Sequence, residues 1–134
     1  MRAILEHVDR IIEAGDVAWE RRGRSVWVQL GQGKNRHRVS FRRQKDLYIL
    51  YALVVDGSFV TQDIKKWNEL VRRVWMRNAL RQIVSFSFDE KERLIGVIKQ
   101  PVLTIDDLEL ALYIETLARE CDRLKYVLTG EGYG

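Results

Sequence analysis

The chain of 134 residues has one cysteine, one proline and two histidines, and no acidic residue at all between Arg21 and Lys45. A single cysteine cannot bridge within the chain, so the fold must rest on its core without disulfide staples. His7, His37 and Cys121 fall on three different predicted elements, which leaves zinc without a convergent ligand set, and neither a metal nor another cofactor is expected. The longest apolar run, Leu47 to Val55, is nine residues, against the roughly 20 that cross a bilayer. Acidic Glu6 comes too early for a secretory signal. The expectation is a soluble, cytoplasmic protein with no membrane partner. With 46% hydrophobic residues and no low-complexity stretch, residues 1–134 read as a single domain that buries about two thirds of the surface its unfolded chain exposes.

Charge is abundant, and it is unevenly placed. Residues 21–45 hold nine bases, Arg21, Arg22, Arg24, Lys34, Arg36, Arg38, Arg42, Arg43 and Lys45, while the remainder carries 14 bases against 19 acids. A segment of +9 beside a remainder of −5 implies an anionic partner, an acidic surface of the same chain, or a solvated face. From Thr104 onward acids outnumber bases seven to three, so the two charged regions could meet.

Apolar periodicity lays out the elements. Ile4, Leu5, Val8, Ile11 and Ile12 recur at helical spacing and Gly15-Asp16 stops them, giving a helix over about 3–14. Val17 to Arg22 is a short extended lead-in. Val26 to Leu30 and Arg36 to Arg43 form a hairpin across Gly31-Gln32-Gly33-Lys34-Asn35, and Leu47 to Val55 reads as a central strand buried on both faces. Thr61 caps a second helix reaching about Leu80, with Ile64, Trp67, Leu70, Val71, Val74, Trp75 and Asn78 in one arc. Ile83 to Phe88 and Leu94 to Lys99 make a second hairpin, closed by Pro101. Thr104 is predicted to cap a third helix whose stripe is Leu110, Ile114, Leu117, Cys121, Leu124 and Leu128, ended by Gly130. A smaller apolar set, Leu108, Leu112 and Tyr126, lies on its far side, as on a helix with two neighbours. The predicted fold is α+β, with an antiparallel five-stranded sheet and three helices in the order α-β-β-β-α-β-β-α.

No catalytic constellation emerges, and the chain does not read as an enzyme. Cys121 sits in the middle of an apolar stripe, as a buried structural thiol does. The two glycines at 31 and 33 join two strands, whereas a P-loop joins a strand to a helix. Asp89, Glu90 and Glu92 fit a hairpin tip, and Asp106 and Asp107 a helix start. A candidate anion surface is Arg24, Lys34, Arg36, Arg38 and Arg42, since alternation in the strand puts Arg36, Arg38 and Arg42 on one side. Interleaved with Trp27, Phe41, Tyr48 and Tyr51, it makes a nucleic-acid-binding module using residues 21–45 the alternative reading.

From the second helix onward, Asn78-Ala79-Leu80, Phe86 to Leu94, Leu103 to Leu108 and Glu120 to Leu124 resemble the bacterial YbjN-like family, whose fold is that of type III secretion chaperones. The resemblance covers about 55 residues; the first half agrees by element order. It implies a small non-enzymatic domain, often a homodimer, that holds a protein partner or acts in regulation; such proteins have been labelled sensory transduction regulators. Trp67, Trp75, Leu108, Leu112 and Tyr126 are then the candidate partner or dimer contacts. One departure is the charge: secretion chaperones are typically acidic, and this chain has a pI near 9.4.

Overall fold

The structure, a computed structural model, describes residues 2–31, 35–56 and 83–130 together with Asn68 and Arg72. The chain runs α1 (Arg2–Glu13), β1 (Trp19–Arg22), β2 (Ser25–Gln29), β3 (Arg36–Gln44), β4 (Leu47–Val55), β5 (Ser85–Phe88), β6 (Leu94–Pro101) and α2 (Asp107–Thr129). All strands join one antiparallel sheet in the order β1-β2-β3-β4-β6-β5.

Among the described residues the sheet therefore has six strands where the sequence predicts five. The addition is β1, the lead-in segment. Its four residues, Trp-Glu-Arg-Arg, include one apolar side chain, and only Trp19 is buried, so no alternation announces it. What makes it a strand is its pairing with β2, Trp19 opposite Val28 through Arg22 opposite Ser25, across a two-residue turn that Gly23 enters at φ 60. Two helices are present among the described residues. Of the predicted second helix only Asn68 and Arg72 are described, both helical; Trp67 and Trp75 lie outside the described residues, as does Lys34.

α1 and α2 pack on one face of the sheet. Ile4, Val8 and Ile11 of α1, Val26, Val28, Val39, Phe41, Tyr48, Leu50 and Leu94 of the strands, and Leu110, Ile114, Leu117, Cys121 and Leu124 of α2 form the core. Each fully buried aliphatic side chain contributes about 2 kcal/mol. The cap of α2 is Asp106 and not Thr104: its carboxylate accepts from Glu109 N–H at 2.8 Å. Asp-x-x-Glu is itself a start signal, and a carboxylate also suits the positive helix end. Gly130, at φ 78, closes the helix with its N–H on Tyr126 O at 2.7 Å. α1 is tied to this start by Asp107, which accepts from Arg10 Nε at 3.1 Å and meets His7 Nδ1. The Arg10 guanidinium, with His7 second, holds the Asp107 carboxyl below its ordinary range.

Tyr48, fully buried on the helix side of β4, has a hydroxyl with no hydrogen-bond partner among the described residues. An unsatisfied buried O–H costs about 1–3 kcal/mol. Tyr48→Phe is thus expected to raise the unfolding free energy by about 1 kcal/mol in a urea titration; a loss of that size instead would show that the hydroxyl is bonded.

Candidate functional site

Alternation along the strands sorts the basic segment. Arg36, Arg38, Ser40 and Arg42 of β3 point away from the helices, while His37, Val39 and Phe41 point toward them. The register sets Trp27 opposite Arg38 and Tyr51 opposite Ser40, so both rings share the arginine face. The Arg38 guanidinium lies 5.9 Å from the Trp27 ring centre and that of Arg42 5.8 Å from Tyr51, within cation–π range.

The acidic stretch of α2 does not neutralise this face, because α2 covers the opposite side of the sheet. Its carboxylate partner comes instead from β1: Arg36 donates to Glu20 at 2.8 Å and Arg22 to Glu20 at 2.9 Å, while Arg21, on the helix side, donates to Asp9 of α1 at 2.7 Å. Hydrogen bonds from Arg22 and then Arg36 hold the Glu20 carboxyl below its ordinary range. Arg24 stands in the β1–β2 turn, where its carbonyl accepts from Phe41 N–H at 3.3 Å. Of the predicted anion residues, Arg36, Arg38 and Arg42 thus line a strand face and Arg24 stands in a turn, while Lys34 lies outside the described residues.

The central strand is not sheltered along its whole length. Tyr51 is half-buried and Leu53 is 41% exposed, for a reason that lies in the pairing. The ladder between β3 and β4 runs from Gln44 opposite Leu47 to Ser40 opposite Tyr51 and ends there. Beyond that point β3 stays with β2 and β4 stays with β6, past an irregularity between Leu53 and Val55. The two central strands thus part into a fork. His37 bridges it, donating from Nε2 to the Leu53 carbonyl at 2.6 Å, with Nδ1 3.9 Å from Asp122. Asp122 is buried and accepts from Asn35 at 3.1 Å. Burial pushes the His37 imidazole below its ordinary pKa, against the pull of the Leu53 carbonyl and Asp122 and with the help of Lys125.

The fork opens a cleft of about 310 Å³ lined by Trp27, Tyr51, Leu53 and Ile95 and by the cations Arg36, Arg38, Arg93 and Lys125. Arg93 and Lys125 come from the β5–β6 turn and α2, far from the basic segment. Sequence reasoning missed both, along with Leu53, because only the parting of the strands brings them together. Arg93 is held in place by Asp89, whose carboxylate accepts from Arg93 Nε at 2.7 Å and from the backbone N–H groups of Lys91 and Arg93. Asp89 is in this way the organising residue of the β5–β6 turn.

Of the predicted contact residues, Leu108, Leu112 and Tyr126 stand outward on α2, 86%, 58% and 45% exposed, with Leu103 at 94% just before the helix. Cys121 is fully buried, and burial pushes its thiol well above the ordinary range. Among the described residues no group of three His, Cys, Asp or Glu side chains could hold a metal ion, and no helix is long and apolar enough to cross a membrane.

No protein-family model matches this sequence, and no curated protein matches it. Solved structures do. A chain of the HopA1–SchA chaperone–effector complex aligns at a TM-score of 0.57 with 12% identity, over 92% of this chain and 91% of that one. YbjN from E. coli aligns at 0.58 with 10% identity, over 94% and 89%. The Yersinia pestis type III secretion chaperone SycH, solved with a fragment of YscM2, aligns at 0.50 with 9% identity, over 89% and 97%. At these identities the likeness is one of fold: the chain has the fold of YbjN and the type III secretion chaperones.

Proposed function

We propose that the chain is a non-catalytic protein-binding domain, chaperone-like or regulatory, that works in the cytoplasm as a homodimer. The observation that carries this reading is the fold shared along nine-tenths of the chain with chains from complexes of secretion chaperones. The outward Leu103, Leu108 and Leu112 support it, since apolar side chains left in water beside one another mark contact surfaces. Leu108, Leu112 and Tyr126, with Trp67 and Trp75 from the sequence, are the proposed partner or dimer contacts, and the role needs no metal or cofactor.

The nucleic-acid alternative draws on Arg36, Arg38 and Arg42 sharing one strand face. It is weakened by the stacking of Arg38 and Arg42 on the rings that would have to receive bases.

Light scattering at micromolar concentration is expected to give twice the 15.8 kDa of one chain, and a single-chain mass removes the dimer. A tagged chain is expected to retain a protein from native lysate in fixed stoichiometry, and the double change Leu108→Glu, Leu112→Glu to weaken either association about tenfold. Retention of RNA or DNA alone overturns the protein-binding reading.

A further inference from the structure

Three features place a ligand chemistry in the fork between β3 and β4. The first is charge: Arg36, Arg38, Arg93 and Lys125 line the cleft and no described carboxylate does. Arg36 and Arg93 already serve Glu20 and Asp89, whereas among the described residues Arg38 and Lys125 have no ion pair. Stacking on Trp27 fixes the Arg38 guanidinium and leaves its N–H edge for an anion. The second is the floor. Leu53 is 41% exposed and Ile95 half-buried beside it, an apolar surface that a simple inorganic anion cannot use. The third is shape, since the end of the ladder at Ser40 and Tyr51 leaves a slot between two extended strands.

We propose that this cleft receives an extended acidic segment of a protein partner in which carboxylates alternate with apolar residues, the carboxylates meeting Arg38 and Lys125 and the apolar side chains covering Leu53 and Ile95. The proposal rests on the protein-binding reading and assigns it a partner chemistry. Single-stranded nucleic acid matches the charge but not the floor. It would also have to displace Arg38 from Trp27 and Arg42 from Tyr51 before a base could stack.

The test is fluorescence anisotropy with a short labelled peptide alternating Glu and Leu. Comparison probes are the same peptide with Lys for Glu, an all-Glu peptide, and single-stranded RNA of equal charge. Binding of the Glu-Leu peptide is expected at micromolar concentration, to fall with added salt, and to weaken about tenfold in the double variant Arg38→Ser, Lys125→Ser. Leu53→Glu, with its fold checked by circular dichroism, is expected to weaken it as much. The proposal is overturned if the Glu-Leu peptide does not bind, if these variants bind it unchanged, or if the all-Glu peptide or the RNA binds as tightly. It also falls if the variants lower the mass seen by light scattering, since a second copy then covers the cleft. A lysate protein retained equally by the native chain and the double variant would remove this cleft while leaving the broader function standing.

Discussion

Gly96→Ala is expected to destabilise the fold by about 3 kcal/mol, the upper end of what overpacking one methyl costs. Gly96 lies in β6 directly opposite Ala52 of β4 and Phe86 of β5, beneath α2. A Cβ there would stand 2.4 Å from Cys121 Sγ, 3.1 Å from Val84 Cγ1 and 3.2 Å from Leu117 Cδ1. Two small residues side by side, Ala52 and Gly96, are what let α2 come this close to the sheet. Cys121 is fully buried and cannot swing aside. The clash is mainly with one atom, so Cys121→Ala, which alone costs about 1 kcal/mol for the space it leaves, should recover more than half of the loss when combined with Gly96→Ala. A double-mutant cycle by urea unfolding reads this as a favourable coupling of about 2.5–3 kcal/mol. Gly96→Ala at native stability, or additive costs, would mean that α2 sits farther from the sheet.

Stability is expected to fall on mild acidification because of His37. Its ring is 9% exposed and donates to Leu53 O, and burial lowers its folded pKa. A group whose folded pKa lies below the unfolded value of about 6.5 favours folding above that value, and this contribution is lost as pH falls from there toward the folded pKa. The slope in that window is at most about 1.4 kcal/mol per pH unit. Asp122 and Lys125, both facing the ring, pull in opposite directions and leave burial dominant. Asp89 and Asp107, whose pKa values are lowered, lose their contributions only in the more acidic carboxylate range. Unfolding free energies at about pH 7.5 and 5.5 in the native chain and in His37→Gln separate the windows. The variant is expected to lose about 1–3 kcal/mol at the higher pH, from the Leu53 carbonyl left unbonded, and to show a flatter pH dependence. An equal fall in both proteins would assign the acid sensitivity elsewhere.

Much of this architecture was legible in the sequence. The alternation Val26, Val28, Val39 and Phe41 set the inward faces of β2 and β3, nine apolar residues in a row marked β4 as central, and the stripe from Leu110 to Leu124 named the buried side of α2. These signals are local, because burying one face of a strand or helix imposes a period of 2 or 3.6 on the chain itself. The same periodicity placed Arg36, Arg38 and Arg42 together and turned Leu108, Leu112 and Tyr126 outward.

Only the tertiary structure decided the rest. Trp19–Arg22 became a strand through its partner β2 and not through its own composition. The acids of α2 were kept from the outward arginines of β3 by the sheet that separates them, which left Arg36 to Glu20 of β1. The fork at Ser40 and Tyr51, the bridge of His37 across it and the meeting of Arg38, Arg93 and Lys125 bring together residues up to 88 positions apart, the span from His37 to Lys125. Strand pairing and helix placement are long-range matters of register and close packing, and no window along the chain contains both partners of such a contact.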